Sequence, residues 1–185
     1  LSPAPDPVAT VGPSPAFAPG KFGGALVAGA ESTLLRYRTD GNLVPQAGSV
    51  SLWVKPVNWG TDGCFHSFFE SGQERQGLGW LVLYKYYRNN WLLLRYADEA
   101  DQVGMAQGLA DWKPGEWHHL VGTWSPEGIR VYVDGELSGT APRPLVAQSL
   151  GDTFALGDNG WHLPHRGAQT LIDEVRIYSY PLSPE

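Results

Sequence analysis

Residues 117–140 contain three short apolar runs separated by two tight-turn signals, and this pattern is the strongest local constraint on the fold. The first signal, S-P-E-G at 125–128, has serine, proline and glycine at the positions that a type I turn prefers. The second signal, Asp134–Gly135, suits a type I′ hairpin, because both residues of such a turn must tolerate positive φ. The segment is therefore predicted to form a meander of three antiparallel strands, near 117–124, 128–133 and 136–140.

The rest of the chain follows the same pattern. Apolar residues rarely recur at helical spacing, and short runs rich in β-branched and aromatic residues alternate with turn residues. The 23 glycines and 15 prolines also disfavour long helices. Two adjacent asparagines, Asn89 and Asn90, are predicted to form a hairpin tip. Further strands are predicted near 25–28, 33–38, 49–56, 64–70, 79–87, 90–97, 101–107, 152–157 and 169–179, which makes the domain all-β.

Two adjacent histidines, His118 and His119, lie in the first strand of the meander. Successive side chains of a strand point to opposite faces, so His118 shares a face with Leu120, whereas His119 shares the other face with Trp117. The two rings cannot chelate one metal ion together. We expect each histidine to form local hydrogen bonds beside packed tryptophans.

Composition argues against several classes of protein. The formal net charge is −6 and the 13 basic residues form no run, which disfavours nucleic acid or an anionic membrane as a partner. No apolar segment approaches the roughly 18 residues needed to cross a bilayer. The single cysteine, Cys64, excludes an internal disulfide and a cysteine-based zinc cluster, and we expect a small, partly buried thiol there.

The two ends of the chain suggest how the domain is delimited. Six prolines fall within the first 19 residues, and residues 1–16 are predicted to be a Pro-rich linker or a surface strap. Residues 17–185 are predicted to form one domain, and β-sandwiches of this length are common. Because the chain starts at Leu1 and stops within Y-P-L-S-P-E, we expect a module that is tethered to other domains in a larger protein.

Four segments carry a family resemblance. They are G-K-F-G-G-A-L-V-A-G (20–29), G-S-V-S-L-W-V-K-P (48–56), the 115–137 segment that contains W-H-H-L-V-G-T-W and Y-V-D-G, and L-I-D-E-V-R-I-Y-S-Y-P-L-S-P-E (171–185). In this order they resemble the laminin-G-like, concanavalin A-like modules of secreted bacterial proteins. The resemblance covers roughly 17–185 and implies an antiparallel β-sandwich jelly roll of two curved sheets, located outside the cell. Because this scaffold carries lectins, glycanases, lyases and adhesive modules, the function must be argued from the site.

Asp173 is a candidate metal ligand in the closing strand. By strand alternation it shares a face with the apolar residues at 171, 175 and 177, so we expect it on the core side of the sheet. A carboxylate buried there without a partner is costly. The resemblance implies a structural calcium ion here, held by Asp173 and by backbone carbonyls near Gly24 and Ala25. However, V-A-G at 27–29 lacks the aspartate that many relatives have. The alternative is that Asp173 accepts hydrogen bonds from buried backbone N–H groups.

A candidate ligand surface comes from three strands that are apolar or aromatic on both faces. We expect one face to pack into the core through Phe65, Phe69, Leu81, Leu83, Leu92 and Leu94. If the strands are neighbours, the other face would form a concave patch with Phe68, and its candidate carbohydrate-binding residues are His66, Glu70, Trp80, Tyr84, Tyr86, Trp91 and Arg95. Flat aromatic rings flanked by polar groups suit the C–H faces and hydroxyl edges of sugars. Alternatively, loops or the Pro-rich segment cover the patch, and its rings form a second small core.

A second candidate lies in the loop L-G-D-N-G-W-H-L-P-H-R-G at 156–167. It offers Trp161 for sugar contact, together with Asn159, His162 or Arg166, in a loop whose glycines permit movement. Asp158 and His165 belong to the same cluster, and a metal held by the two histidines is only weakly supported by their spacing. Alternatively, Trp161 folds back over a sheet edge.

These residues favour a non-catalytic, lectin-like carbohydrate-binding module of a larger secreted or cell-surface protein, with a polysaccharide as its partner. Glycoside hydrolases need a pair of carboxylates, and no strand carries the E-x-D-x-x-E-like spacing that hydrolases on this scaffold use. By resemblance, uronate lyases use a Tyr, His, Arg and Gln set, which His66, Tyr84, Tyr86 and Arg95 mimic loosely. The alternatives are an adhesive, protein-binding module without a sugar site, or a lyase or hydrolase on the same fold.

Overall fold

Fourteen β-strands form the regular structure of the residues that the computed structural model describes, which are 7–29, 32, 34–72, 79–143, 146–157 and 167–183. In those residues, no helix has the length and apolar character needed to cross a membrane. The strands are β1 Ala9–Val11, β2 Phe17–Pro19, β3 Gly24–Ala28, β4 Leu34–Arg38, β5 Gly48–Pro56, β6 His66–Gly72, β7 Trp80–Lys85, β8 Trp91–Ala97, β9 Val103–Leu109, β10 His118–Ser125, β11 Gly128–Val133, β12 Glu136–Ala141, β13 Thr153–Leu156 and β14 Thr170–Tyr178.

The strands form two seven-stranded sheets that pack face to face. The first sheet has the order β1-β4-β13-β6-β7-β8-β9, and the second has the order β12-β11-β10-β5-β14-β3-β2. Every neighbouring pair is antiparallel. The predicted all-β sandwich of the jelly-roll type is therefore confirmed.

The predicted meander and hairpin tips are also confirmed. Strands β10, β11 and β12 follow one another in the second sheet, and Asp134 and Gly135 have φ values of 53° and 87°, as a type I′ turn requires. At the tip between β7 and β8, Asn89 and Asn90 have φ values of 57° and 50°.

The two adjacent histidines face opposite sides of the second sheet, as predicted. The His118 ring stacks on Trp112, with centroids 4.7 Å apart, and its Nδ1 lies 2.8 Å from Asp134 Oδ2. The His119 ring packs against Trp53 on the outer face, tilted by 31°, and its Nε2 lies 2.8 Å from Ser51 Oγ. Both rings therefore have local partners.

The side-chain orientations predicted from sequence alternation were wrong where a strand contains a bulge. In β6, a bulge between Ser67 and Phe69 inserts one residue, which reverses the alternation of the side chains that precede it. Phe68 packs in the main core and His66 lies against core residue Trp59, whereas Phe65 joins a cluster on the outer face. The sequence had placed these three residues of 64–70 the other way round.

Two short strands, β1 and β2, were not predicted. They lie in the Pro-rich N-terminal region, where alternation is weak. Each pairs along one edge only, β1 with β4 and β2 with β3, and an edge strand tolerates proline because one side of its ladder is unpaired. The predicted boundary between a strap at 1–16 and a domain at 17–185 stays a prediction.

The main core lies between the two sheets. Side chains of β5, such as Leu52 and Val54, face those of β7 and β8, such as Leu83 and Leu94, and all four are fully buried. Larger rings in this core keep a polar partner, since Trp124 Nε1 donates to the Val44 carbonyl at 2.8 Å. The core thus follows the rule that a buried indole N–H needs an acceptor.

Where β12 crosses β9, the sheets are in contact through a glycine. A Cβ at Gly139 would lie 2.1 Å from the carbonyl oxygen of Gln107, so Gly139→Ala must push the two strands apart. We expect the free energy of unfolding in urea to fall by about 1–3 kcal/mol. Gly24→Ala, in β3, is the matched control because a Cβ there meets nothing within 4 Å, and it should change little. Equal stability of the two variants would contradict this packing.

Candidate functional site

The predicted ligand patch does lie on one face, the outer face of the first sheet, but its centre is buried. Trp80 and Tyr84 from β7 are 1% and 3% exposed, and they cluster with Val82, Leu93 and Phe65. This arrangement is a second small apolar core, which the sequence analysis gave as the alternative to an open patch. A sugar therefore cannot stack on Trp80 or Tyr84 as they lie.

Two polar members of the predicted patch flank Trp80. Its indole Nε1 donates to Glu70 Oε1 at 3.2 Å, and the Arg95 guanidinium lies 4.3 Å from the centroid of its ring. Arg95 also lies 3.5 Å from Asp101 Oδ1. Glu70 is buried, and Arg95 is half-buried. The two residues thus orient Trp80 within the covered part of the face.

His66 is held on the core side of the sheet, where it belongs to a buried ionic cluster with Asp62 and Lys85. Its Nε2 lies 2.7 Å from one carboxylate oxygen of Asp62, and the Lys85 Nζ lies 2.7 Å from the other. The His66 ring is also stacked on Trp59 at a centroid distance of 3.7 Å. Lys85 is 0% exposed and donates a further hydrogen bond to the Cys64 carbonyl.

The electrostatics of this cluster favour the charged form of Asp62. Burial raises the pKa of the carboxyl, but hydrogen bonds from His66 and Lys85, the charge of His66 and the Cys64 backbone N–H outweigh burial and hold the pKa well below its usual range. Asp62 and Lys85 were not predicted from the sequence. Strand alternation could have indicated this cluster, because Lys85 shares the core-facing side of its strand with Leu81 and Leu83. A buried ammonium group needs an anionic partner.

Among the described residues, the accessible aromatic rings of the predicted patch lie at the β7–β8 hairpin. We define Tyr86, Tyr87 and Trp91 as the hairpin platform; all three side chains are half-buried. The rings of Tyr86 and Trp91 are stacked at 6.0 Å with an interplanar angle of 15°, and Tyr87 lies 4.5 Å from Tyr86. Phe65 supports both tyrosines from below, at centroid distances of 5.2 Å and 4.9 Å.

Polar groups surround the hairpin platform. The Arg88 guanidinium lies 5.0 Å from the Tyr87 ring, and Asn90 Nδ2 donates to Thr61 Oγ1 at 3.2 Å. A hydrogen bond with Tyr87 raises the pKa of the Tyr86 hydroxyl, with burial adding to the effect. Tyr86 therefore keeps its proton at neutral pH and can both donate and accept a hydrogen bond.

Asp173 is buried, but on the outer face of the second sheet rather than on the core side. A bulge between Asp173 and Arg176, with Glu174 at a φ of 51°, shifts the alternation within β14. Ile172, Val175 and Ile177 consequently pack on the main core, whereas Asp173 lies opposite Trp53. The predicted orientation of Asp173 was wrong for this reason.

The turn at 20–24 closes over the Asp173 carboxylate. Its Oδ2 accepts from the Phe22 backbone N–H at 2.9 Å, and its Oδ1 accepts from the Glu174 N–H at 2.8 Å. Calcium requires six to eight oxygen ligands. The predicted calcium site has a single carboxylate, that of Asp173. The described residues contain no group of three His, Cys, Asp or Glu residues able to hold a metal ion. This environment fits the hydrogen-bonding role, and calcium remains a proposal.

The second predicted sugar-contact cluster lies outside the described residues. It comprises Asp158, Asn159, Trp161, His162, His165 and Arg166. Cys64 is a half-buried thiol, as expected, and its Sγ lies 3.6 Å from the Asp62 carbonyl oxygen.

Comparison with known proteins gives a family and several structural neighbours. The family model described as the concanavalin A-like lectin/glucanases superfamily matches residues 30–185. Domain 4 of AbnA, a GH43 extracellular arabinanase from Geobacillus stearothermophilus solved in complex with arabinotriose, is 29% identical, with a TM-score of 0.69, over 94% of this chain and 79% of that chain. No curated protein sequence matches the chain.

Botulinum neurotoxin structures are also similar in fold. The receptor-binding domain of neurotoxin D has a TM-score of 0.73 at 14% identity, covering 95% of this chain and 45% of that chain. A structure of neurotoxin type C, a toxin whose cell entry depends on interaction with two ganglioside molecules, has a TM-score of 0.74 at 13% identity. The match covers 95% of this chain and 43% of that chain. This chain thus spans less than half of either toxin structure, and the likeness shows the fold alone.

Asp62→Asn leaves the Lys85 ammonium buried without a carboxylate, and we expect a loss of about 3–5 kcal/mol in the free energy of unfolding. Asp62→Asn/Lys85→Met removes both charges and should recover most of that loss. Because the pKa of Asp62 is depressed in the fold, its stabilising effect is complete above about pH 4 and is lost as the pH falls through the folded-state pKa. Urea midpoints between pH 2 and 7 should therefore fall more steeply for the wild type than for the double variant. Identical profiles would contradict this role.

Asp173→Ala leaves two backbone N–H groups without acceptors, so we expect it to lower the free energy of unfolding by about 2–4 kcal/mol. Thermal melts of the wild type with and without chelator test the calcium proposal separately. Bound calcium predicts that chelator lowers the Tm and that added calcium restores it. An unchanged melting curve would leave Asp173 with its hydrogen-bonding role alone.

Proposed function

Because the chain belongs to the concanavalin A-like lectin/glucanases superfamily, we propose that it is a non-catalytic carbohydrate-binding module of a larger extracellular protein. The observation that carries this proposal is the hairpin platform, in which Tyr86, Tyr87 and Trp91 are accessible beside a covered aromatic cluster. Neighbouring residues fix the positions of these rings before any ligand arrives. A preorganised surface loses less conformational entropy on binding.

The chemistry of the hairpin platform suits a sugar chain. The apolar C–H face of a pyranose or furanose packs on the stacked pair of Tyr86 and Trp91, while the edge of the sugar presents hydroxyl groups. The Tyr86 hydroxyl and the Arg88 guanidinium supply hydrogen-bonding groups at the rim of these rings. The same combination of flat rings and rim polar groups is found in many ligand sites.

The neighbouring structures support a glycan as the partner and a location outside the cell. The arabinanase domain that is 29% identical comes from an extracellular enzyme and was solved with arabinotriose. We therefore choose linear arabino-oligosaccharides as the first probe, in a wider panel of neutral and acidic polysaccharides.

The arrangement of the outer face supports binding rather than catalysis. His66 lies on the core face, stacked on Trp59, and so cannot join Tyr84 and Arg95 in a lyase-like set. Hydrolysis of a glycosidic bond uses two carboxyl groups on either side of the bond. On this face Glu70 is buried and holds the Trp80 indole instead.

Trp91→Ala removes one ring of the stacked pair, and Tyr86→Ala removes the other. We expect each variant to raise the Kd for the bound glycan at least tenfold, about 1.4 kcal/mol, in isothermal titration calorimetry. Phe17→Ala is the matched control, because Phe17 is a 66% exposed aromatic residue on the other sheet and should leave the Kd unchanged. Circular dichroism confirms that each variant is folded.

Three outcomes would contradict the proposal. If the wild type bound no glycan of the panel, an adhesive module without a sugar site would be the better interpretation. Release of reducing ends or unsaturated products would make the chain an enzyme. Equal affinity of the Trp91→Ala variant and the wild type would move the site away from the hairpin platform.

A further inference from the structure

The outer face of the second sheet carries a cluster that the proposed function does not use. Trp53 and Lys55 project from β5, His119 projects from the start of β10 beside them, and Trp117 lies immediately before β10. Lys21 reaches the cluster from the turn between β2 and β3. We define these five residues, together with Arg176 of β14, as the basic-aromatic patch.

In this patch each indole ring is paired with an ammonium group. The Lys21 Nζ lies 4.5 Å from the centroid of Trp53, and the Lys55 Nζ lies 5.0 Å from the centroid of Trp117. Lys55 follows Trp53 by two residues on the same face of β5, so the Lys55–Trp117 pair lies beside the Lys21–Trp53 pair. Residues two apart on a strand are separated by about 7 Å, so a single extended ligand can contact both pairs.

Among the residues that the structure describes, neither lysine of the patch, Lys21 or Lys55, forms an ion pair. Arg176 pairs with Glu174, and the nearby Asp173 carboxylate is covered by the turn at 20–24. Two ammonium groups without carboxylate partners among the described residues, in a chain of net charge −6, favour an anionic partner at this face.

Each lysine ammonium group can leave its tryptophan ring for a ligand carboxylate at little cost in free energy. A cation above an exposed aromatic ring gains only about 0.5–1 kcal/mol, so an arriving carboxylate can recruit the ammonium group at little cost. The ring that the ammonium leaves then becomes available to the C–H face of a sugar. His119 stays mostly uncharged at neutral pH, because burial and the charge of Arg176 lower its pKa against the opposing effect of Asp134.

We propose that the basic-aromatic patch is a second binding surface, specific for a polysaccharide that carries carboxylate groups. The two cations would bind carboxylates, and the two indole rings would contact the sugar faces between them. The patch lies on the sheet opposite the hairpin platform, so this inference stands independently of the proposed function.

The test measures binding of polygalacturonate to the intact chain by affinity electrophoresis and calorimetry at low salt. Its fully methyl-esterified form is the matched ligand, with the same backbone but no charge. We expect the wild type to bind polygalacturonate, to bind more weakly in 0.5 M NaCl and not to bind the ester through this patch. Lys21→Glu/Lys55→Glu should weaken binding at least tenfold.

Arg36→Glu/Arg38→Glu is the matched control variant. It changes the net charge by the same amount at two arginines of β4, on the other sheet, and should leave binding unchanged. Trp91→Ala should also retain binding, which separates this surface from the hairpin platform.

Three results would overturn the proposal. They are no binding of polygalacturonate by the wild type, equal weakening by the two charge-reversal variants, and preferential binding to phosphatidylserine vesicles over polygalacturonate. The last result would assign the patch to an anionic membrane surface instead.

Discussion

The burial of the Lys85 ammonium group is the constraint on which the candidate site depends. A fully buried lysine is tolerated only with a compensating anion, so the segment before β6 must bring Asp62 to within 2.7 Å of it. The same segment continues into Phe65, whose ring supports Tyr86 and Tyr87 on the opposite face of the sheet. An ionic contact on the core side thereby positions the aromatic surface on the outer side.

Local patterns predicted most of the strands, the type I′ hairpin at Asp134–Gly135, the hairpin tip at Asn89–Asn90 and the opposite orientation of His118 and His119. Turn chemistry and alternation are encoded by neighbouring residues. They failed at the bulges of β6 and β14, where one extra residue reversed the facing of His66 and Asp173 without a clear mark in the sequence. The buried cluster could not be derived in full, since Lys85 predicts a partner but only the tertiary fold selects Asp62.

In the candidate site, too, the face on which a side chain lies could be predicted from the sequence, whereas its burial could not. Parity correctly placed Trp80 and Tyr84 on the outer face, but burial depends on the packing of the whole domain, and it closes this part of the face. Among the described residues of the predicted patch, accessible rings remain at the β7–β8 hairpin. On the second sheet, the Trp53 and Trp117 rings contact lysine ammonium groups instead of an apolar cluster, so the two outer faces of the sandwich differ in chemistry.

A sugar site at the hairpin platform is tested by titrating the ¹⁵N-labelled chain with arabino-oligosaccharide and following the indole N–H signals of its eight tryptophans. We expect the signal of Trp91 to shift progressively with ligand concentration. The signals of Trp59 and Trp124, which are buried in the main core, should stay in place. A stationary Trp91 signal at saturating ligand, or a shift confined to Trp53 and Trp117, would contradict a sugar site at the hairpin platform.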